Sequence, residues 1–373
     1  MTFNKIFKFS ILFILPAYLL TCSPTKTYRD RGLNGYIDSL VRKNNFNGNL
    51  LVAVDNKIVY KGSYGLTNFD TGDKLNDSSV FLLCSISKQF TAMGIMMLKE
   101  KGLLSYDDNI LKYIPELPYS GISIRNMLTH TSGLPKYEEF LEKRINKNSI
   151  AHNDDIIKML QEVKPPLLFS TGEQWEYCDT AYELLATVIE KVSGISYGDF
   201  LNRNIFKPLE MNHTFNCITR RSNKQIINNY ALPFVYSDSL NKYIMPDSLQ
   251  KHHIVITLDG TQGAGSINST IEDMYKWDNG LRSEKLIKNA TLTEAFTPTR
   301  LNNGQTYNYG FGWFLDVGSQ INRVAMHPGG WPGYKTFIIR GLDKEDFVIV
   351  LSNNESDSYL VAKNIFDKIN NAD

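Results

Sequence analysis

The chain has 373 residues, of which 42% are hydrophobic, 12% aromatic and 21% charged, a profile that excludes disorder and a multi-spanning membrane protein and leaves room for a large folded core. Its 40 basic residues are matched by 39 acidic ones, a formal charge of +1, so no overall field holds a polyanion and nucleic acid is not an expected partner.

The first segment reads as a targeting signal. Lys5 and Lys8 precede an apolar run from Phe9 to Leu20, which is short for a membrane span and suits a secretory h-region. Leu19-Leu20-Thr21-Cys22 resembles a bacterial lipobox, with Thr21 in place of the usual Gly, Ala or Ser. Residues 1–22 are therefore expected to be a signal peptide and Cys22 a lipidation site, with cleavage without lipid as the alternative. The expected location is the periplasm or cell surface, with a membrane anchor through Cys22 and a polar linker over residues 23–32.

Three further cysteines, Cys84, Cys178 and Cys217, show no metal-ligand spacing, and neighbouring rings such as His252 and His253 cannot both face one ion. No metal and no cofactor is expected.

Past the linker, Tyr36, Ile37, Leu40 and Val41 give Leu33 to Arg42 helical spacing. Gly48 to Val54 and Lys57 to Tyr64, joined by Asp55-Asn56, read as a β-hairpin. From Ser85 to Leu98, Ile86, Phe90, Met93 and Met97 recur at helical intervals, with Gly102 as a stop signal, so Ser85 is expected to open an amphipathic helix. The stretch from Ile122 to about Leu209 is mainly helical by the same test, including Thr180 to Val192 closed by Gly194. Strand signals return at Tyr309 to Asp316, Arg323 to His327, Tyr334 to Arg340 and Phe347 to Ser352, before a last periodic segment from Tyr359 to Ile369. The expected fold is a mixed α/β (α+β) domain over 33–373. One antiparallel sheet is built from both chain ends, flanked by helices, with a helical insertion over about 105–260.

A serine hydroxyl attacks carbonyls only when a neighbour takes its proton, and a lysine one turn later can do so if burial and nearby cations lower its pKa. Ser-x-x-Lys occurs four times, at Ser23, Ser85, Ser239 and Ser248. Only Ser85-Ile86-Ser87-Lys88 leads into a strong helical pattern, where the two side chains share a face and helix amides favour an oxyanion.

The segment from Phe81 to Ala92 and the stretch Ile124-Arg125-Asn126-Met127-Leu128-Thr129-His130-Thr131-Ser132-Gly133-Leu134 resemble the serine β-lactamase and penicillin-binding-protein superfamily. The resemblance is to the branch with class C β-lactamases, D-alanyl-D-alanine carboxypeptidases and esterases, and it covers nearly all of the mature chain. It implies a β-lactamase/transpeptidase-like fold and a nucleophile at Ser85 with Lys88. The Tyr-x-Asn motif falls on Tyr177-Cys178-Asp179, which makes Tyr177 the third catalytic residue and sets Asp179 where the motif has Asn. A carboxylate cannot donate the amide hydrogen bond that Asn would offer, and Asp179 also reads as a helix N-cap.

The third motif, Lys-Thr-Gly or His-x-Gly in the family, falls on His327-Pro328-Gly329. The resemblance implies that His327 lines the site near Tyr177, that Asp179 and His327 orient substrate and the proton relay, and that the Ser85 and Gly330 N–H groups form an oxyanion hole. Pro328 offers no hydroxyl for a substrate carboxylate and belongs on a sheet edge. The stretches Gly263 to Thr270, Tyr309 to Trp313 and Ile124 to Leu134 read as scaffold. Cys84 and Cys178 read as two buried thiols, a disulfide between them being the alternative.

The expected function is that of an exported serine hydrolase that forms an acyl-enzyme on Ser85 and cleaves an ester, amide or D-amino-acid peptide bond. Its partner would be a small-molecule or peptide acyl donor, such as a cell-wall peptide. The alternatives are a β-lactamase or D-alanyl-D-alanine carboxypeptidase, a non-catalytic penicillin- or peptidoglycan-binding sensor, and a scaffold lipoprotein. Whether Lys88 or Tyr177 is the acylation base stays open at this level.

Overall fold

The computed structural model describes residues 30–141, 149–217, 227–252, 254–318 and 322–370. The signal peptide, Cys22 and most of the linker lie outside the described residues. Helix α1, Asp30–Lys43, begins inside the stretch expected to be linker.

The hairpin forms as the sequence predicts, with β1 at Gly48–Val54 and β2 at Lys57–Tyr64. Asp55 and Asn56 take φ values of 47° and 55°, so both central turn residues are left-handed, the twist that a two-residue hairpin loop requires. The long helices that follow are α2, Lys88–Glu100, and α3, Asp179–Ser193, the latter ended by Gly194 at φ 73°. The chain then returns with β3, Phe314–Asp316, β4, Val324–Trp331, β5, Tyr334–Gly341, β6, Phe347–Ser352, and helix α4, Ser358–Asn370.

These strands make one six-stranded sheet in the order β3-β4-β5-β6-β1-β2, with every neighbouring pair antiparallel. Strand β1 joins the two chain ends by pairing with β6, Gly48 opposite Ser352 and Ala53 opposite Phe347. Alternation decides what each face covers. Leu50, Val52, Ile339 and Val348 pack under α1 and α4, whereas Leu51, Ala53, Ile338 and Ile349 face the larger core that contains α2 and α3.

Three expectations need correction. Ser85 does not open the α-helix: Cys84–Ser87 forms a 3-10 turn and α2 starts at Lys88. Nor is α2 amphipathic in its surroundings, because its residues from Lys88 to Leu98 are all buried, as befits a helix enclosed between sheet and insertion. Of Tyr309 to Asp316 only the last three residues are strand. Gly310 and Gly312 instead cross tightly over neighbouring backbone, since a Cβ on Gly310 would meet the Ala295 carbonyl at 1.9 Å.

The insertion is mainly helical but includes a small hairpin, Val235–Ser237 with Lys242–Ile244, whose turn holds Ser239. Ser248 ends a single 3-10 turn. Neither of these Ser-x-x-Lys tetrads leads into a long helix. Pro328 pairs with β5 at Phe337, but β3 reaches only as far as Met326, so from Pro328 onward β4 is a sheet edge.

Candidate active site

The turn that carries Ser85 is fixed on three sides. The Leu83 N–H donates to the Ile267 carbonyl at 2.8 Å, the Thr336 hydroxyl donates to the Leu83 carbonyl at 2.8 Å, and the Ile267 N–H donates to Ser87 Oγ at 3.0 Å. Cys84 is held at φ 51°, an uncommon left-handed conformation for a non-glycine residue, and this sharp bend presents Ser85 at the start of α2. Ser85 is half-buried while Cys84, Ser87 and Lys88 are buried.

Lys88 is completely enclosed, and its ammonium meets three acceptors: Ser85 Oγ at 3.1 Å, the Ala264 carbonyl at 3.0 Å and Asp179 Oδ1 at 2.7 Å. Two donated hydrogen bonds and an ion pair describe a charged lysine. Burial alone would lower its pKa, but the charge of Asp179 and the Tyr177 phenol outweigh burial and hold it above the ordinary lysine value. The condition for Lys88 to act as a base, a lowered pKa, is therefore not met in this state, and the cause is the carboxylate at the position where the motif has Asn. Asp179 is the first residue of α3, and Cys178, not Asp179, occupies the N-cap position.

The Tyr177 hydroxyl is buried and has no hydrogen-bond partner of ordinary geometry, with Lys88 Nζ 4.8 Å from its ring centre. Burial pushes its pKa up to about 12 although Lys88 and Ser85 pull the other way, so the phenol is protonated at neutral pH. His327 is buried on β4 with its ring 6.0 Å from that of Tyr177.

Two groups that read as scaffold in the sequence reach this centre. The Cys178 N–H donates to His130 Nδ1 at 3.2 Å, and His130 Nε2 lies 3.2 Å from the Tyr309 hydroxyl. That hydroxyl is also 3.2 Å from His327 Nε2, and His327 Nδ1 is 2.7 Å from the Pro328 carbonyl. A carbonyl only accepts and a backbone N–H only donates, so for neutral rings the directions are fixed: His130 Nε2–H donates to Tyr309, Tyr309 donates to His327 Nε2, and His327 Nδ1–H donates to Pro328. Burial, reinforced by Lys88, keeps both imidazoles neutral, lowering His327 to about 3 and His130 well below the usual histidine value. The relay ties the Tyr177 segment to β4. His130 was visible in the Thr-His-Thr-Ser-Gly stretch, but only the fold brings it to Tyr309.

Gly329 is required by close approach, since a Cβ there would meet Thr336 Oγ1 at 2.0 Å and the Leu83 carbonyl at 2.5 Å. It locks β4 against the Ser85 turn, and Ser85 and Gly330 consequently border the same pocket. Ala264, from the glycine-rich stretch, supplies a carbonyl to Lys88, and Thr91 donates to the Gly263 carbonyl at 2.6 Å.

The pocket, a cavity of about 150 Å³, is also bordered by Glu138, Asp179, Glu183 and Asp259. Burial pushes the Glu183 carboxyl up to about 8 and that of Glu138 up to about 7, with the charge of Asp179 adding to both and that of Glu138 adding to Glu183. Glu183 follows Asp179 by four residues and so shares its face of α3. Cys84, Cys178 and Cys217 form no disulfide, and burial pushes the Cys178 thiol up to about 12. Among the described residues no group of three or more metal-ligating side chains converges. None of their helices is long and apolar enough to cross a membrane.

Residues 33–368 match the family described as Beta-lactamase. The chain is 40% identical over 333 residues to penicillin-binding protein 4* of Bacillus subtilis, covering 89% of this chain and 74% of that protein. It is 26% identical to a teichoic acid D-alanine hydrolase of Staphylococcus aureus, over 89% of this chain and 77% of the other. The crystal structure of a penicillin binding protein from Bacillus halodurans superposes with a TM-score of 0.76 at 22% identity, covering 89% of this chain and 98% of that one.

Proposed function

The chain belongs to the Beta-lactamase family of serine hydrolases, and from that premise we propose that it is an exported hydrolase that forms a covalent acyl-enzyme on Ser85. The observation that carries this reading is the 3.1 Å contact between Ser85 Oγ and Lys88 Nζ at the wall of a pocket. Once the Lys88–Tyr177 pair has lost one proton to solvent, Ser85 Oγ would attack the acyl carbonyl as its own proton passes to that pair. The Ser85 and Gly330 N–H groups would hold the oxyanion, and the Tyr177 hydroxyl would protonate the leaving group. Water then attacks the acyl-enzyme with the same groups in reverse, releasing the acid and restoring Ser85.

The substrate class follows from what the site lacks. Pro328 has no side-chain donor, and no lysine or arginine is among the described residues that border the pocket. A free substrate carboxylate would find no cation among those residues, which favours an ester, amide or D-amino-acid peptide over β-lactams and D-alanyl-D-alanine peptides. The resemblance to a teichoic acid D-alanine hydrolase supports an ester of an amino acid in the cell wall as the donor. Export by residues 1–22 and anchoring through Cys22 complete the proposal, and loss of membrane association in Cys22→Ala would test the anchor.

The deciding experiment is intact mass of the chain lacking residues 1–22 after exposure to p-nitrophenyl acetate, a fluorescent penicillin and D-alanyl donors, beside Ser85→Ala. Turnover or mass gain that disappears in Ser85→Ala is expected. A folded chain with equal activity in Ser85→Ala would sink the reading. Stable acylation by the penicillin without release would select the sensor instead.

A further inference from the structure

Four carboxyl side chains, Glu138, Asp179, Glu183 and Asp259, border the pocket beside Ser85, and no lysine, arginine or histidine is among the described residues that border it. Acidic side chains alone would be unremarkable, but Glu183 is only 2% exposed and its Oε2 is buried without a hydrogen-bond partner. Lys88 does not serve it, because the lysine donates to Ser85 and Ala264 and is ion-paired with Asp179. Lys335 Nζ lies 3.6 Å from where a Cβ on Gly330 would stand. Successive strand residues face opposite ways, so this lysine is across the sheet from Gly329 and the Ser85 turn. Burial keeps Glu183 and part of Glu138 protonated at neutral pH, and an ammonium placed beside them would favour loss of those protons to solvent and be held by the carboxylates so formed, close to the nucleophile.

We propose that this pocket binds the free ammonium of an aminoacyl donor, so that the enzyme selects acyl groups bearing a protonated amine on the carbon next to the scissile carbonyl. The inference rests on the hydrolase reading and specifies its substrate. The distances set the position: Asp179 is 2.7 Å from Lys88, and Lys88 is 3.1 Å from Ser85 Oγ. A carbonyl seated on Ser85 therefore brings its nearest substituent to the edge of the acidic wall, with Glu183 one turn further along α3. A free carboxylate in that place would find no cation among these residues and would hold the two glutamates in their neutral form.

The arriving ammonium has a second effect. It adds positive potential beside Lys88 and competes for Asp179, and both changes favour the neutral amine, whose proton leaves to solvent. The substrate thus helps to generate the base that the resting site holds protonated.

The test compares D-alanine methyl ester with methyl D-lactate, which replaces the ammonium with a neutral hydroxyl of similar size, by methanol release from the chain lacking residues 1–22. Each kcat/KM is normalised to the ester's own hydroxide-catalysed rate. A normalised preference of about tenfold or more for the alanine ester is expected, falling about tenfold in Glu183→Gln or Glu138→Gln. Ser85-dependent turnover without any preference would overturn the inference and leave the hydrolase reading intact. A preference unmoved in both folded variants would overturn its assignment to this pocket. D-alaninamide binding to Ser85→Ala, measured by calorimetry beside D-lactamide, separates the two readings further. Selective binding without turnover of any ester by the parent chain would keep the pocket and remove the hydrolase reading, and no binding with no turnover would remove both.

Discussion

Asp179 Oδ1 stands 2.7 Å from Lys88 Nζ, an ion pair between a fully enclosed ammonium and a carboxylate that remains about one-third exposed, with side-chain exposures of 0% and 36%. The pair turns Lys88, one of the two candidate bases, into a resting acid. Acylation therefore requires a proton to leave the Lys88–Tyr177 pair before or during attack.

Asp179→Asn removes the charge and keeps the shape. Without the carboxylate, burial dominates and the Lys88 pKa falls, so the acidic limb of kcat/KM for methyl D-lactate should move to lower pH by about one unit or more. Folding stability should drop by about 1–2 kcal/mol, reduced from the value for a buried pair by the exposure of Asp179. A pH–rate profile and a urea titration of the variant check both numbers. An unmoved limb would show that Lys88 does not set the rate.

The two glycines of β4 beside the Ser85 turn should behave differently. In Gly329→Ala the new methyl would lie 2.0 Å from Thr336 Oγ1 and 2.5 Å from the Leu83 carbonyl, and backbone cannot yield that space cheaply. A loss of about 2–3 kcal/mol and a collapse of acylation are expected. In Gly330→Ala the only near atom is the tip of Lys335 at 3.6 Å, and the N–H is retained, so stability should change by less than about 1 kcal/mol. Chemical denaturation and p-nitrophenyl acetate acylation of the two variants side by side measure the contrast.

Much of this arrangement was legible in the sequence, and the reasons differ by element. The hairpin around Asp55-Asn56 and the helix ended by Gly194 follow from local turn chemistry, and the sheet from both chain ends follows from the order of strand signals. Ser85 and Lys88 stood out from the other three Ser-x-x-Lys tetrads because only theirs leads into a strong helical pattern. The pKa direction of Lys88 did not, because it depends on Asp179, 91 positions away in sequence by subtraction of 88 from 179. Tyr309 and His130 were hidden for the same reason: their hydroxyl and imidazole meet only after folding. Glu183 left a trace in its spacing of four from Asp179, but only its burial marks it as unusual.

Tyr309→Phe deletes the hydroxyl that links His130 to His327, leaving one imidazole donor and one acceptor without their partner. A destabilisation of about 2–4 kcal/mol is expected from two unsatisfied buried groups. The variant should also acylate more slowly, because His327 loses the contact that orients it. Nitrogen NMR of labelled histidine distinguishes orientation from simple loss of stability. The parent should show His327 as the single Nδ1–H tautomer, and the variant a mixture. A parent spectrum with the proton on Nε2 would refute the relay.

His327 also gives the molecule a pH dependence whose sign can be fixed. Burial and then Lys88 lower it to about 3 in the folded state from the usual 6.5. Between those values the unfolded chain takes up a proton that the folded chain refuses, so stability falls as pH falls through that window, by about 1.4 kcal/mol per unit. Glu138 and Glu183 act oppositely. Their raised pKa values of about 7 and 8 contribute stability at low pH that is lost as pH rises from about 4.5 upward. The parent curve alone therefore mixes the two effects, and the difference from His327→Gln isolates the histidine. The destabilisation caused by His327→Gln should be largest near pH 7 and shrink by about 2 kcal/mol at pH 5, because only the parent is losing its histidine contribution there. Urea titrations of both proteins across pH 5–7 measure the gap. A gap of constant size would mean that His327 titrates near its ordinary value and that the imidazole is open to water.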